Sequence, residues 1–117
     1  MNLSAYDTIS NKLNKRKTWL DNNKQVIISR EVNKRPYYTF VKRYEPELNT
    51  NVFFLVLLDD KTPNSQCYIT HQDDYGRLKF NVSPIWKELP FTEYIGQNIP
   101  LEYIEHTDDG DIYKIDI

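Results

Sequence analysis

The sequence has 117 residues, with 15 Lys/Arg against 17 Asp/Glu and a formal net charge of −2, a size expected of one domain with its own core. Its single Cys67 excludes an internal disulfide framework, and its longest apolar run, residues 52–58, falls far short of the ~20 residues a membrane helix needs. The near-neutral total hides an uneven layout: residues 1–44 carry ten Lys/Arg against three Asp/Glu, and residues 45–117 carry five against fourteen.

In chain order, residues 3–22 read as an amphipathic helix capped by Ser4. Tyr6, Ile9, Leu13 and Leu20 share one side, while Lys12, Lys15 and Trp19 project away from it. The same opening apolar residues are diluted by Asp7, Asn11 and Asn14, so no secretory signal is read there and a cytoplasmic location is expected. Residues 25–32 and 37–44 are rich in β-branched and aromatic side chains and read as strands, with 33–36 as a hairpin-type connection. Residues 45–51 contain Pro46 and read as a loop. Residues 52–58 are apolar at every position, the pattern of a strand covered on both faces.

Residues 66–72 and 77–82 form an expected hairpin around Asp73, Asp74, Tyr75 and Gly76. Residues 84–95 hold one or two helical turns, with Pro84 suited to a first helical position and Pro90 interrupting. Their aromatics, Trp86 among them, read as a plug that closes a sheet. Residues 101–105 and 111–117 form the clearest hairpin, because the Asp109-Gly110 pair between them is a strong turn signal that exploits positive φ at Gly. The predicted fold class is α+β: an N-terminal helix packed on a mainly antiparallel sheet of five to seven strands, with a short helix before a C-terminal hairpin.

Two charged regions are candidate binding surfaces. In the basic front, Lys12, Lys15, Arg16, Lys34, Arg35, Lys42 and Arg43 are interleaved with Trp19 and Tyr38, supplying cations for phosphates and flat rings for base stacking. The competing reading makes the aromatics core and the cations solvated. In the acidic back, Asp73, Asp74, Glu102, Glu105, Asp108, Asp109 and Asp111 sit mostly at turns, where a partner with a basic channel could meet them. Against that, Asp is simply a favoured turn residue.

Chemistry-bearing groups are few. Cys67, His71 and His106 are the only thiol and imidazoles, and on a straight strand Cys67 and His71 lie about 13 Å apart, too far to share one ion. Setting Gly110 at the invariant glycine of a calcium loop puts Asp116 where a bidentate Glu belongs, a poor match that favours a turn. No metal or cofactor is expected.

Asn, Lys, Ile and Tyr make up 41 residues, the bias of an A/T-rich genome such as a low-GC bacterium, phage or plasmid. The expectation is therefore a small non-enzymatic interaction protein. Its narrower form is an inhibitor of a host nucleic-acid enzyme, of the anti-CRISPR or anti-restriction type, that binds a protein or nucleoprotein such as a nuclease through its acidic surface. The alternatives are a single-stranded RNA or DNA binder that uses the basic front, and a small nuclease that uses His71 or His106. Homodimerisation through an exposed sheet edge is compatible with each.

Overall fold

The computed structural model describes residues 15–16, 18–28, 34–61, 66–108 and 110–117. Among them ten strands form two antiparallel sheets, and the helical content is two short 3₁₀ turns, Ser83–Ile85 and Phe91–Tyr94. The α+β expectation is overturned: the described chain is mostly β, and among the described residues no N-terminal helix packs on a sheet. Leu3, Ser4, Tyr6, Ile9, Lys12 and Leu13 lie outside the described residues. Where the expected helix would end, Lys15–Arg16 is strand β1 and Thr18–Leu20 is strand β2.

The reason is visible in β2. Thr18 and Leu20 are buried while Trp19 between them is exposed, which is the period of a strand and not of a helix. The Asp21 carboxylate then accepts the N–H groups of Asn23 and Gln25, and Lys24 adopts φ 62°, so the polar run after Leu20 turns the chain back into β3, Gln25–Ile28.

The six-stranded sheet runs β1, β9 (Leu101–His106), β10 (Gly110–Ile115), β5 (Thr50–Leu58), β4 (Tyr37–Glu45), β6 (Tyr68–Ile69). The four-stranded sheet runs β2, β3, β8 (Leu78–Asn81), β7 (His71–Gln72). Each edge strand continues into an edge of the other sheet: β1 into β2 across one residue, and β6 into β7 across Thr70. The described strands therefore close into a flattened antiparallel barrel of eight chain segments, with corners where a segment leaves one sheet for the other.

Two further expectations change with this closure. Residues 33–36 do not join a hairpin, because β3 and β4 belong to different sheets. The expected strand over 66–72 splits at Thr70, and only its second half pairs with β8 about the Asp73–Gly76 turn. The hairpin β9–β10 forms where the sequence places it, and the expected loop over 45–51 shortens to a turn that joins β4 and β5 in a second hairpin. Beyond Tyr38, β4 has no partner strand on its outer edge among the described residues.

Inward side chains of both sheets make the core. Leu20, Ile28, Leu78 and Phe80 come from the smaller sheet, and Tyr38, Phe53, Leu55, Leu57, Leu101, Tyr113 and Ile115 from the larger. Tyr38 meets Phe80 edge-on across the barrel, with ring centroids 5.0 Å apart. The apolar crevice among Val26, Leu55, Phe80, Phe91 and Leu101 measures about 10 Å³, so the described side chains fill this part of the barrel. Strand β5 is buried from Val52 to Leu57 apart from a half-buried Val56, matching its unbroken apolar run.

The 3₁₀ segment closes one mouth of the barrel. Phe91 and Ile99 are buried, and Trp86 stacks on Phe91 at 5.4 Å. Leu20 exchanges two backbone bonds with this segment, donating to the Gln97 carbonyl and accepting from Gly96 N–H. The Thr18 hydroxyl donates to the Ile99 carbonyl. Among the described residues no helix is long and apolar enough to cross a membrane.

Candidate functional site

The other mouth carries the densest polar constellation. Strand directions bring to it the ends of β5 (Leu58), β7 (Gln72) and β9 (His106) and the start of β4 (Tyr37) and β10 (Gly110). Asp111 arrives there with inward parity, since Asp111, Tyr113 and Ile115 alternate as buried positions of β10. A fully buried carboxylate is costly unless charge and hydrogen bonds compensate it.

Arg35 and His106 supply that compensation. Arg35 Nε donates to Asp111 Oδ2 at 2.8 Å, and its Nη1 reaches Asp59 Oδ2 at 2.7 Å. His106 Nδ1 lies 2.6 Å from Asp111 Oδ1, so a carboxylate acceptor assigns the proton to Nδ1. The Arg35 Nη2 group sits 3.3 Å from the same ring nitrogen. The bond to Asp111 raises the Arg35 pKa above its ordinary value; burial opposes this, and Asp59 adds to the rise. The backbone is pinned as well, because the Thr70 hydroxyl donates to the Arg35 carbonyl and Thr70 N–H to that of Pro36. Lys34 Nζ meets Gln72 Oε1 at 3.5 Å.

Gly110 belongs to this closure for a reason other than the expected one. Its φ is not positive; instead a Cβ there would collide with the Leu57 carbonyl oxygen of the neighbouring strand. The turn closes by bonds between Thr107 and Gly110.

The acidic candidates divide. Asp74, Glu105 and Asp108 are exposed at this mouth, together with Asp59 and Asp60. Asp73 is committed to its own turn: its carboxylate takes the N–H groups of Tyr75 and Arg77 and the Arg77 Nε at 2.6 Å. Burial raises the Asp73 pKa, but the bonds from Arg77 and Tyr75 outweigh it and hold the group below its ordinary value. Glu102 pairs in register with Lys114 on one side and Lys15 on the other. Asp111 offers no surface, and Asp109 lies outside the described residues.

The basic candidates are likewise dispersed. Lys12 lies outside the described residues, and Lys15 and Arg16 sit on β1. Tyr38 is core, its hydroxyl accepting Asn81 N–H; burial raises its pKa, the Asn81 bond opposes this, and Tyr68 adds to the rise. Lys42 and Arg43 are exposed on β4, with Arg43 over the Phe54 ring and paired to Glu45. Trp19 is exposed on β2, next to β1 along the chain but in a different sheet from Lys42 and Arg43. Arg35 of the basic half is held by Asp59 and Asp111 of the acidic half, and β1 pairs with β9, so among the described residues the two halves of the chain do not form two pure patches.

His71 lies on the smaller sheet opposite Lys79, and His106 at the mouth with Asp111, so the two imidazoles belong to different surroundings. Half-buried Cys67 joins neither in a metal-holding group; among the described residues no three His, Cys, Asp or Glu are so arranged. The Arg35–Asp111 pair was missed in the sequence, although counting strand parity back from Tyr113 and Ile115 puts Asp111 on the inward side. No protein-family model, curated protein or solved structure matches this chain.

Proposed function

We propose that the chain is a small non-enzymatic interaction protein whose acid-rich barrel mouth meets a positively charged macromolecule. One observation carries the reading: the turns bearing Asp59/Asp60, Asp73/Asp74 and Asp108 come from three separate hairpins or connections, yet strand direction gathers them at one end. There Arg35 is held by Asp59 and Asp111, which leaves Asp60, Asp74, Glu105 and Asp108 exposed to a partner. Clustered exposed carboxylates steer encounter with a basic surface and set specificity more than they add affinity.

The narrower form of this reading is an inhibitor of a nucleic-acid enzyme in the cytoplasm. It draws on the small size, the lone Cys67 and the A/T-rich codon bias, with a nuclease or nucleoprotein as partner. The test is a cleavage assay in which the purified chain is titrated against RNA-guided and restriction nucleases at low and physiological salt. Salt-sensitive inhibition of at least one enzyme is expected. Uniform inactivity across the panel at low salt would refute the inhibitor form.

A second reading has one specific observation behind it. His106 is half exposed and its Nδ1 is fixed by buried Asp111, the arrangement that orients an imidazole for general-base work. Nuclease activity lost in His106→Ala but kept in His71→Ala would favour it over the binding role.

A further inference from the structure

The outer face of the smaller sheet carries a row of side chains that neither the core nor the acidic mouth uses. The register Trp19–Ile27–Lys79–His71 crosses all four strands, and directly opposed residues of antiparallel neighbours point to the same side. With strands about 4.8 Å apart, the row spans about 14 Å. Trp19 stands outward between buried Thr18 and Leu20 and keeps 45% of its surface exposed. Flanking Gln25 and Asn81 are also opposed, adding amide groups beside the row.

At the His71 end this face runs into a groove at the Thr70 corner, with a volume of about 690 Å³. Lys61, Tyr68, His71 and Lys79 line it, and no carboxylate does among the described residues. Lys79 has no ion-pair partner among the described residues, whereas Arg35, Arg43 and Arg77 are each paired. An exposed indole, Lys79 and amide donors on the sheet face, with Lys61 and the half-buried Tyr68 ring of the larger sheet lining the corner groove, match the requirements of a single strand: flat surfaces for bases and cations for phosphates. A double helix would bury neither ring, and a basic peptide would meet Lys61 and Lys79 with like charge.

We infer that this sheet face and its corner groove bind single-stranded nucleic acid, with Trp19 and Tyr68 as stacking surfaces and Lys61 and Lys79 as phosphate contacts. The site keeps Trp19 of the basic front read in the sequence but not its other members, since Tyr38 is buried in the core and Arg35 is held at the mouth. It borders the acidic mouth at Gln72 and Lys61 but uses different side chains, and can serve a protein that sits on a nucleoprotein.

The experiment is an anisotropy titration of the full chain against labelled 12-mers of dT and of rU, across a salt series. Binding to either is expected, and the difference between the two identifies the natural strand. Trp19→Ala is expected to weaken it about tenfold, while Trp19→Phe, which keeps a stacking ring, retains most of it. Lys79→Glu is expected to weaken it and to lower the slope of log affinity against log salt by about 0.7. Lys87→Glu, an exposed charge reversal on the 3₁₀ segment, serves as the control for net charge. All three positions are on the surface or partly so, and circular dichroism checks the fold of each variant. Absence of binding at low salt overturns the inference, as does equal loss in Lys79→Glu and Lys87→Glu.

Discussion

Arg35 and Asp111, 76 residues apart in the chain, meet at 2.8 Å with the carboxylate fully buried and the guanidinium side chain only 11% exposed. This pair closes the barrel mouth from opposite segments, one entering β4 and the other inside β10. Removing the cation strands a buried charge, which is the expensive way to break such a pair.

Arg35→Ala is therefore expected to destabilise the protein by about 3 kcal/mol in urea unfolding, the lower part of the usual range because His106 still faces Asp111. Asp59→Asn, at a half-exposed partner, is expected to cost under about 1 kcal/mol. A loss below 1 kcal/mol for Arg35→Ala would mean that the carboxylate is solvated in the native protein.

Gly110→Ala and Gly96→Ala test two different uses of glycine. At Gly110 the new methyl meets the Leu57 carbonyl oxygen within a paired strand, so β5 and β10 must part, at about 1–3 kcal/mol. At Gly96, with φ 75° and open space around the methyl, the cost is backbone strain alone, about 1–2 kcal/mol. Hydrogen exchange separates the cases: faster exchange along β10 is expected only for Gly110→Ala.

Asp73 governs part of the acid limb of stability. Its folded pKa lies below the unfolded value, so its contribution is complete above the ordinary carboxylate pKa of about 3.9 and disappears as pH falls through the lower folded value. Asp73→Asn keeps an oxygen for the Tyr75 and Arg77 N–H groups but loses the charge. Its stability is expected to be flatter with pH below about 4 than that of wild type, as read by unfolding midpoints at stepped pH.

Phe91→Ala removes the buried centre of the plug and the surface on which Trp86 stacks. A loss of about 3–5 kcal/mol is expected, with a change in tryptophan fluorescence from Trp86. A stable variant with unchanged emission would show that the segment lies over the barrel without sealing it.

Much of the β content was legible in the sequence because it is written locally. The unbroken apolar run of β5, the Asp-Gly turn before β10 and the Pro-flanked plug each announce themselves within a few residues. The closure was not legible, since it depends on pairings such as Arg16 with Leu101 and Tyr38 with Tyr68 that no local pattern encodes. The strands at 15–16 and 18–20 were read as helix for a related reason: Thr18, Trp19 and Leu20 form too short an alternation to outweigh a helical spacing of apolar residues across 3–20. At the site, the aspartate-bearing turns were visible but their convergence was not. Asp111 was read with its acidic neighbours when its parity belongs to Tyr113.

The claim that the acidic mouth is the binding surface is tested most directly by Asp60→Asn/Asp74→Asn/Asp108→Asn in one chain. These three exposed side chains appear in none of the ion pairs at the mouth, so the melting temperature should stay within a few degrees of wild type. The measurement is the association rate with the inhibited nuclease. A drop of tenfold or more that shrinks as salt rises is the predicted result; an unchanged rate and unchanged inhibition at low salt would contradict it.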